Sequence, residues 1–322
     1  MIRIGLLGAA RIAPKGIVSP AAKRSDCEIV AVGCRSREKG ERFVVDNKLT
    51  AEVMDYEALC NRSDLDMIYI ALPPSEHAKW ACLAMKNGKH ILCEKPAAMG
   101  IEDARVMAEV SRKTGQYFFE AFHYQFHPAF ENCRSDMKTH FKREGGFNFE
   151  ALFTASIPNT ANQLRYKAEL GGGALMDLGC YALHAVRQLF GEMNIVSVEA
   201  DIEDGVDVAL TAHLSTPNGR GKIYCNMRDG APREDYIRAQ NSVGARMELT
   251  NFVAPYRGYN YMLTAGETFI QHHEAATELT TYDYQLGHFL SVLQKTQPAL
   301  PLSDMTAQAQ TIEAIYQEVG LR

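Results

Sequence analysis

Ile4-Gly5-Leu6-Leu7-Gly8-Ala9-Ala10-Arg11-Ile12-Ala13 joins a short apolar run to a glycine turn. Ile4 to Leu7 read as a strand buried on both faces, because such strands show continuous apolar residues rather than alternation. Gly8 to Ala13 is a degenerate G-x-G-x-x-G/A turn, which brings a pyrophosphate to a helix N-terminus. Ala10 stands where the second glycine would, and its methyl limits backbone approach to phosphate. The context is stronger than the letters, since the turn follows a strand and precedes a helical pattern. Gly8, Ala9, Ala10, Arg11 and Ile12 are therefore candidate phosphate-binding residues.

Similar apolar runs recur at Ile29 to Gly33, Met67 to Leu72, Ile91 to Cys93 and Tyr117 to Phe119, separated by helical patterns. Strands alternating with helices predict βαβ units and a parallel sheet. The helix expected over Glu76 to Asn87 carries Trp80, Leu83 and Ala84 on one face and stops at Gly88; another stops at Gly115, both where a C-cap favours glycine. Beyond about residue 122 the pattern becomes polar and apolar alternation, at Phe147 to Ala155, Ile195 to Asp201, Val208 to Leu214, Lys222 to Met227 and Ala245 to Leu249. Alternation predicts half-exposed antiparallel strands, whose second face is covered by helices or by another subunit. The helical patterns Tyr284 to Lys295 and Thr306 to Val319 follow. The expected architecture is α/β: an N-terminal Rossmann dinucleotide-binding domain over residues 1–122, and a C-terminal α+β domain with an open, mostly antiparallel sheet over residues 123–322.

Length and composition narrow the partners. The 322 residues correspond to about two domains. Lys and Arg total 34 against 39 Asp and Glu, a net charge of −5 without long single-sign runs, so neither nucleic acid nor an anionic membrane is an expected partner. The eight cysteines form no C-x-x-C pair and read as reduced thiols. No apolar stretch approaches the roughly 18 residues of a membrane helix, and Met1 to Gly5 run directly into a strand pattern rather than a signal peptide. The expectation is a cytoplasmic protein acting on a small molecule.

The end of the second strand bears on cofactor choice. Forms that bind NAD place an acidic residue there, whereas this chain has Cys34-Arg35-Ser36-Arg37-Glu38-Lys39. Arg35, Ser36 and Arg37 suit a 2′-phosphate, because guanidinium forks bind phosphate through paired hydrogen bonds. NADP is the preferred cofactor, with NAD as the alternative if the turn is only a solvated basic one. Glu94-Lys95-Pro96 follows the run Ile91-Leu92-Cys93, which puts a lysine at the carboxyl end of a parallel strand, where open α/β sheets bind ligands. An exposed Glu94–Lys95 ion pair is the competing reading.

Gly171-Gly172-Gly173 precedes a helical pattern in which Asp177, Tyr181, His184 and Gln188 share a sector of about 60°, at about 100° per residue. Leu175, Leu178, Ala182, Val186, Leu189 and Phe190 occupy the opposite face. A polar stripe is commonly a solvated surface, but this one holds groups of proton transfer in place of lysines and glutamates. Tyrosine needs help near neutrality, since its ordinary pKa is about 10, and an adjacent lysine ammonium favours phenolate. Lys95 is the candidate neighbour. His123 and His127 stand at i, i+4, yet two ligands in a proline-bounded loop do not make a metal site, and none is expected.

Taken together, these segments resemble the Gfo/Idh/MocA oxidoreductases. The likeness runs from Arg3-Ile4-Gly5-Leu6-Leu7-Gly8 through Ala71-Leu72-Pro73-Pro74 with His77, Glu94-Lys95-Pro96, Arg165, Gly171 to Tyr181, and Tyr284-Gln285. The resemblance implies a nucleotide-binding N-terminal domain and a C-terminal sheet used in homodimer or homotetramer contacts. It implies cofactor contacts from Ala71, Leu72, Pro73, His77, Glu94, Lys95 and Arg165. It places Lys95 by the nicotinamide and substrate, and has Asp177 hold the substrate or orient the acid. Many members have histidine where this chain has Tyr181, and a tyrosine there is similar to the branch acting on aldoses and cyclic diols. The later acidic position is His184 here, so no acid–base role passes to it. His123, Tyr124, His184 and Tyr284 remain candidate substrate contacts.

The mechanism expected is hydride transfer between nicotinamide and a sugar or cyclic diol hydroxyl or carbonyl. Tyr181 is the acid–base, Lys95 assists and Asp177 positions. The competing class is a non-catalytic NAD(P)-binding metabolite sensor, which would be expected to lose the lysine or the acid while keeping the turn; a glycosidase using NAD transiently is a third.

Overall fold

Strand β1 (Ile2–Leu7) lies inside a six-stranded sheet of order β3-β2-β1-β4-β5-β6, with every pairing parallel. The partners are β2 (Cys27–Gly33), β3 (Glu52–Met54), β4 (Met67–Ile70), β5 (His90–Cys93) and β6 (Phe118–Glu120). The crossovers carry α1 (Ser19–Ala22), α2 (Arg37–Asp46), α3 (Tyr56–Asn61), α4 (Pro74–Lys86) and α5 (Ile101–Thr114). Strand order reverses between β1 and β4, the switch point beside which doubly wound sheets take ligands. The edge strand β3 was not expected, because Glu52-Val53-Met54 has no apolar run to mark it.

This computed structural model describes residues 1–141, 146–161 and 163–322. They form two compact units, Met1–Phe122 with Tyr282–Ala309, and His123–Thr281 with Gln310–Arg322. The second unit contains α6 (Pro128–His140), α7 (Cys180–Phe190) and an eight-stranded sheet of order β14-β13-β12-β11-β7-β10-β9-β8. Its strands are β7 (Phe147–Thr154), β8 (Asn194–Glu203), β9 (Val206–Thr216), β10 (Gly219–Asn226), β11 (Glu234–Asn241), β12 (Arg246–Thr250), β13 (Tyr259–Ala265) and β14 (Thr268–Glu274). Within this second sheet only β7 and β10 pair in parallel among the described residues. Phe147, Phe149 and Phe153 point to the buried face, where Phe149 stacks on Phe190 of α7 at 5.2 Å. On the other face Glu150 lies between Lys222 and Arg238, 3.3 and 3.5 Å away.

The last helices depart from a single boundary after residue 122. Helix α8 (Thr281–Leu293) places Leu286, Phe289 and Leu290 in the core of the first sheet, with Ile4, Leu6, Ile17, Tyr69 and Phe119. That face needs the cover, because α1 is a four-residue helix that follows a single π-helical turn, Pro14–Val18. Helix α9 (Leu302–Glu318) is divided: Met305 and Ala309 complete the first unit's other core, while Tyr316 bonds within the second unit.

Candidate functional site

The glycine turn Gly8 to Ala13 is built where β1, β2 and β4 end. Gly8 has φ +105, and a Cβ there would lie 2.5 Å from the Ala71 carbonyl oxygen, so both conformation and space require glycine. Its N–H donates to Gly33 O at 2.9 Å, and Ala71 N donates to Leu7 O at 2.9 Å. Ala9, Ala10 and Ile12 are half-buried and Arg11 is exposed, which leaves the turn accessible to solvent. Leu72 and Pro73 continue from Ala71 into α4 and are half-buried. Glycine at residue 8 therefore lets the chain leave β1 in close contact with Ala71 and Leu72 at the end of β4, as a glycine turn that presents main-chain N–H groups requires.

Arg35, Ser36 and Arg37 are exposed at the end of β2. Ser36 Oγ caps α2 by accepting from Lys39 N at 3.3 Å. Arg37 pairs with Glu41 at 2.8 Å, an exposed i, i+4 contact worth about 0.3–0.5 kcal/mol and easily redirected. Burial raises the pKa of the Tyr56 hydroxyl and the adjacent Arg35 guanidinium opposes that shift, which places Arg35 against α3.

The Glu94-Lys95-Pro96 segment leaves β5 under several restraints. Glu94 N donates to Ile70 O at 2.9 Å, and its buried carboxylate accepts from the Tyr69 hydroxyl. Ala97 N donates to Glu120 Oε1 at 2.8 Å. His77 Nδ1 and Nε2 lie 3.1 Å from Pro96 O and 2.8 Å from Leu72 O. The ring is 0% exposed, and burial lowers its pKa against the pull of these carbonyls. His77 thus ties together the two loops that leave β4 and β5, and both its nitrogens face backbone rather than solvent. Lys95 is half-buried, joined to Pro96 by a cis peptide bond.

In the second unit, residues 164–170 lie over the glycine run. Gly173 N donates to Arg165 O at 2.9 Å, and Arg165 Nε makes a short ion pair with Asp177 Oδ2. Gly173 has φ +117, and a Cβ there would meet Asp207 Oδ1 at 2.1 Å. Asp207 is buried; it accepts from Leu175 N at 2.7 Å and from the Tyr316 hydroxyl at 2.8 Å. Burial pushes the Asp207 carboxyl up to about 6, partly offset by those two donors. From this anchor the chain enters a π-helical turn, Leu175–Gly179, and then α7.

The wide turn changes the expected polar stripe, because π geometry inserts a residue and rotates what precedes it. Asp177 sits in that turn and faces Arg165. Tyr181 is 5% exposed with its hydroxyl 3.0 Å from His123 Nε2, and buried His184 accepts or donates at Nδ1 with the Tyr124 hydroxyl at 2.6 Å. Successive residues of the turn His123–Phe126 thus pair with successive positions of one α7 face. Gln188 is half-buried farther along that helix. His127 is used elsewhere, accepting from Ala129 N at 3.2 Å to cap α6. Tyr284 is half-buried in α8, in the first unit. Tyr69, Glu120, Asp207 and Tyr316 were not anticipated; their roles come from long-range partners that no local motif marks.

Residues 2–122 match the oxidoreductase family with an NAD-binding Rossmann fold, GFO_IDH_MocA, and residues 147–245 match the GFO/IDH/MocA C-terminal domain. The chain belongs to the Gfo/Idh/MocA oxidoreductases. It is 28% identical to the D-xylose 1-dehydrogenase (NADP(+)) 2 of Haloferax volcanii over 97% of this chain and 96% of that protein. It is 33% identical to the dTDP-3,4-didehydro-2,6-dideoxy-alpha-D-glucose 3-reductase of Saccharopolyspora spinosa, over 68% and 66%. A variant of KijD10, a 3-ketoreductase from Actinomadura kijaniata solved with TDP-benzene and NADP, superposes with a TM-score of 0.87, at 25% identity over 98% of this chain and 97% of that one. This Gfo/Idh/MocA oxidoreductase therefore combines a dinucleotide-binding sheet with the family's second, mostly antiparallel sheet. No helix among the described residues is long and apolar enough to cross a membrane.

Proposed function

We propose that this oxidoreductase exchanges a hydride between NADP(H) and a hydroxyl or carbonyl of a sugar or cyclic diol, with Tyr181 as acid–base. The observation that carries the reading is the buried Tyr181 hydroxyl, held 3.0 Å from His123 Nε2. A phenol fixed against an imidazole has a defined orientation and a partner for its proton, as general acid–base transfer needs. When bound, the cofactor supplies or takes the hydride. Tyr181 gives a proton to the carbonyl oxygen during reduction and takes one from the hydroxyl during oxidation. Lys95 assists by favouring negative charge on that oxygen. Asp177, oriented by Arg165, positions the substrate. The turn from Gly8 to Ile12 with Ala71, Leu72 and Pro73 would hold the pyrophosphate end, and Arg35 the 2′-phosphate.

The Haloferax relative's name, which pairs xylose with NADP(+), supports the sugar and cofactor assignments. The reading is tested by screening aldoses, nucleotide-linked keto sugars, polyols and cyclic diols with NADP(H) and NAD(H), following reduced-nicotinamide absorbance. Turnover with NADP(H) is expected; cofactor binding without turnover on any of these would favour a metabolite sensor instead. Arg35→Ala should lower the preference for NADP over NAD by about 10- to 100-fold, the value of a charge-assisted phosphate contact.

Assembly as a homodimer or homotetramer is proposed through the open face of the eight-stranded sheet. Exposed Val196 and Ile202 on β8 and Phe269 on β14 support it, as apolar groups that a monomer would leave in water. Light scattering on the purified protein tests this. The eight buried free cysteines suit a reducing cytoplasm.

A further inference from the structure

Gln285 is 1% exposed, and neither its Nε2 nor its Oε1 has a hydrogen-bond partner among the described residues. Buried amides are ordinarily satisfied, because leaving a donor and an acceptor dry forfeits the hydration both had in the unfolded chain. Gln285 belongs to the first unit. One turn earlier on α8, the Tyr282 ring lies 5.2 Å from Lys15 Nζ, just beyond the phosphate-binding turn, and α8 packs its Leu286 and Phe289 into the same core cluster as Tyr69, whose hydroxyl holds Glu94. One turn later, Phe289 packs edge-on to Phe119 of β6 at 4.7 Å. Gln285 thus lies on the helix face that runs between the start of the Lys95 loop and the end of β6.

We infer that Gln285 recognises the carboxamide of the nicotinamide ring. The unmet pair is one N–H donor and one carbonyl acceptor on a single planar group, and its complement is a second planar group with the same pair reversed. A primary carboxamide is that complement, and in NADP(H) it lies on the ring that carries the hydride. The inference rests on the cofactor reading above. It goes beyond it by naming the residue that selects the amide end of the ring.

Binding separates the two readings. The dissociation constants of NADPH, its 3-acetylpyridine analogue, which lacks the amide nitrogen, and 2′-phospho-ADP-ribose, which lacks the ring, are measured calorimetrically for the wild type and for Gln285→Met. In the variant NADPH should bind roughly 10- to 30-fold more weakly, the worth of two hydrogen bonds, and the wild type's preference for NADPH over the acetylpyridine analogue should vanish. 2′-Phospho-ADP-ribose should bind both proteins alike. Without ligand, Gln285→Met should melt no lower than the wild type, because an unpaired buried amide has been removed. Equal weakening of all three ligands, or no weakening of NADPH, would assign Gln285 to packing or to a buried water and overturn the inference while leaving the cofactor reading intact. A wild-type protein that binds none of the three overturns both.

Discussion

The Lys95 loop and the Asp177–Tyr181 segment each carry a side chain proposed above to take part in the chemistry, and they are restrained by opposite means. Around Lys95 the restraints act on main chain: His77 reaches Pro96 O, Glu120 takes Ala97 N, and Glu94 N bonds Ile70 O. Around Tyr181 they act on side-chain tips, with Arg165 on Asp177, His123 on Tyr181 and Tyr124 on His184. A loop has no repeating backbone bonds, so its path must be pinned before a lysine on it has an address. A helix already places its Cα atoms, and only the far ends of its side chains need orienting. Removing a support should therefore disturb folding and cofactor binding in the first region, and proton transfer in the second.

Tyr181→Phe carries the largest expected loss, about 10²- to 10⁴-fold in kcat, with cofactor affinity nearly unchanged. Wild-type turnover in this variant would remove the second region from the chemistry. Asp207→Asn probes the anchor beneath that region through pH. The Asp207 carboxyl, raised from 3.8 to about 6, holds its proton more tightly folded than unfolded. Its contribution to stability is full below about pH 3.8 and is lost as pH rises through about 6, roughly 3 kcal/mol over the two-unit shift. Asp235 is also raised to about 6, so the quantity to follow is the difference in urea-unfolding free energy between wild type and variant. That difference should move in the variant's favour between pH 4 and pH 7; a flat difference would mean that Asp207 does not titrate there.

His77→Leu removes a bridge between two loops and should cost about 1–3 kcal/mol of stability, since the carbonyl that accepts the single N–H of the neutral ring loses its donor. Urea unfolding measures that cost, and a rise in the KM for cofactor larger than the fall in kcat would show that the effect travels through the backbone. His123→Asn should be mildest, near tenfold in kcat for one hydrogen bond of about 1.4 kcal/mol, with a displaced pH–rate profile. If His123→Asn instead raised KM alone, the contrast between backbone and side-chain restraint would fail.

Much of the parallel sheet could be read locally. Ile4 to Leu7, Ile29 to Gly33 and Ile91 to Cys93 are apolar runs whose length and punctuation mark buried strands, and Gly8 and Lys95 are located simply by following one of them. The same holds for the alternating strand β7. Strands β3, β11 and β14 escaped because they are short or mix charge into their alternation, and are held by their neighbours rather than by their own pattern; β13 was missed although Tyr259, Tyr261 and Leu263 alternate into the core. The polar stripe was legible as residue types but not as geometry, since nothing local announces the π-helical turn before α7.

What depends on distance along the chain had no local signature. His123 and Tyr181 are 58 residues apart, and Asp207 and Tyr316 are 109 apart. The return of α8 to the first sheet likewise answers a gap left by the shortness of α1. Periodicity is written by neighbours three or four residues away, so elements and their ends follow from it. Which buried polar group meets which, and which is left without a partner among the described residues as Gln285 is, depends on strand order and helix placement, and these are set by the packing of the whole chain.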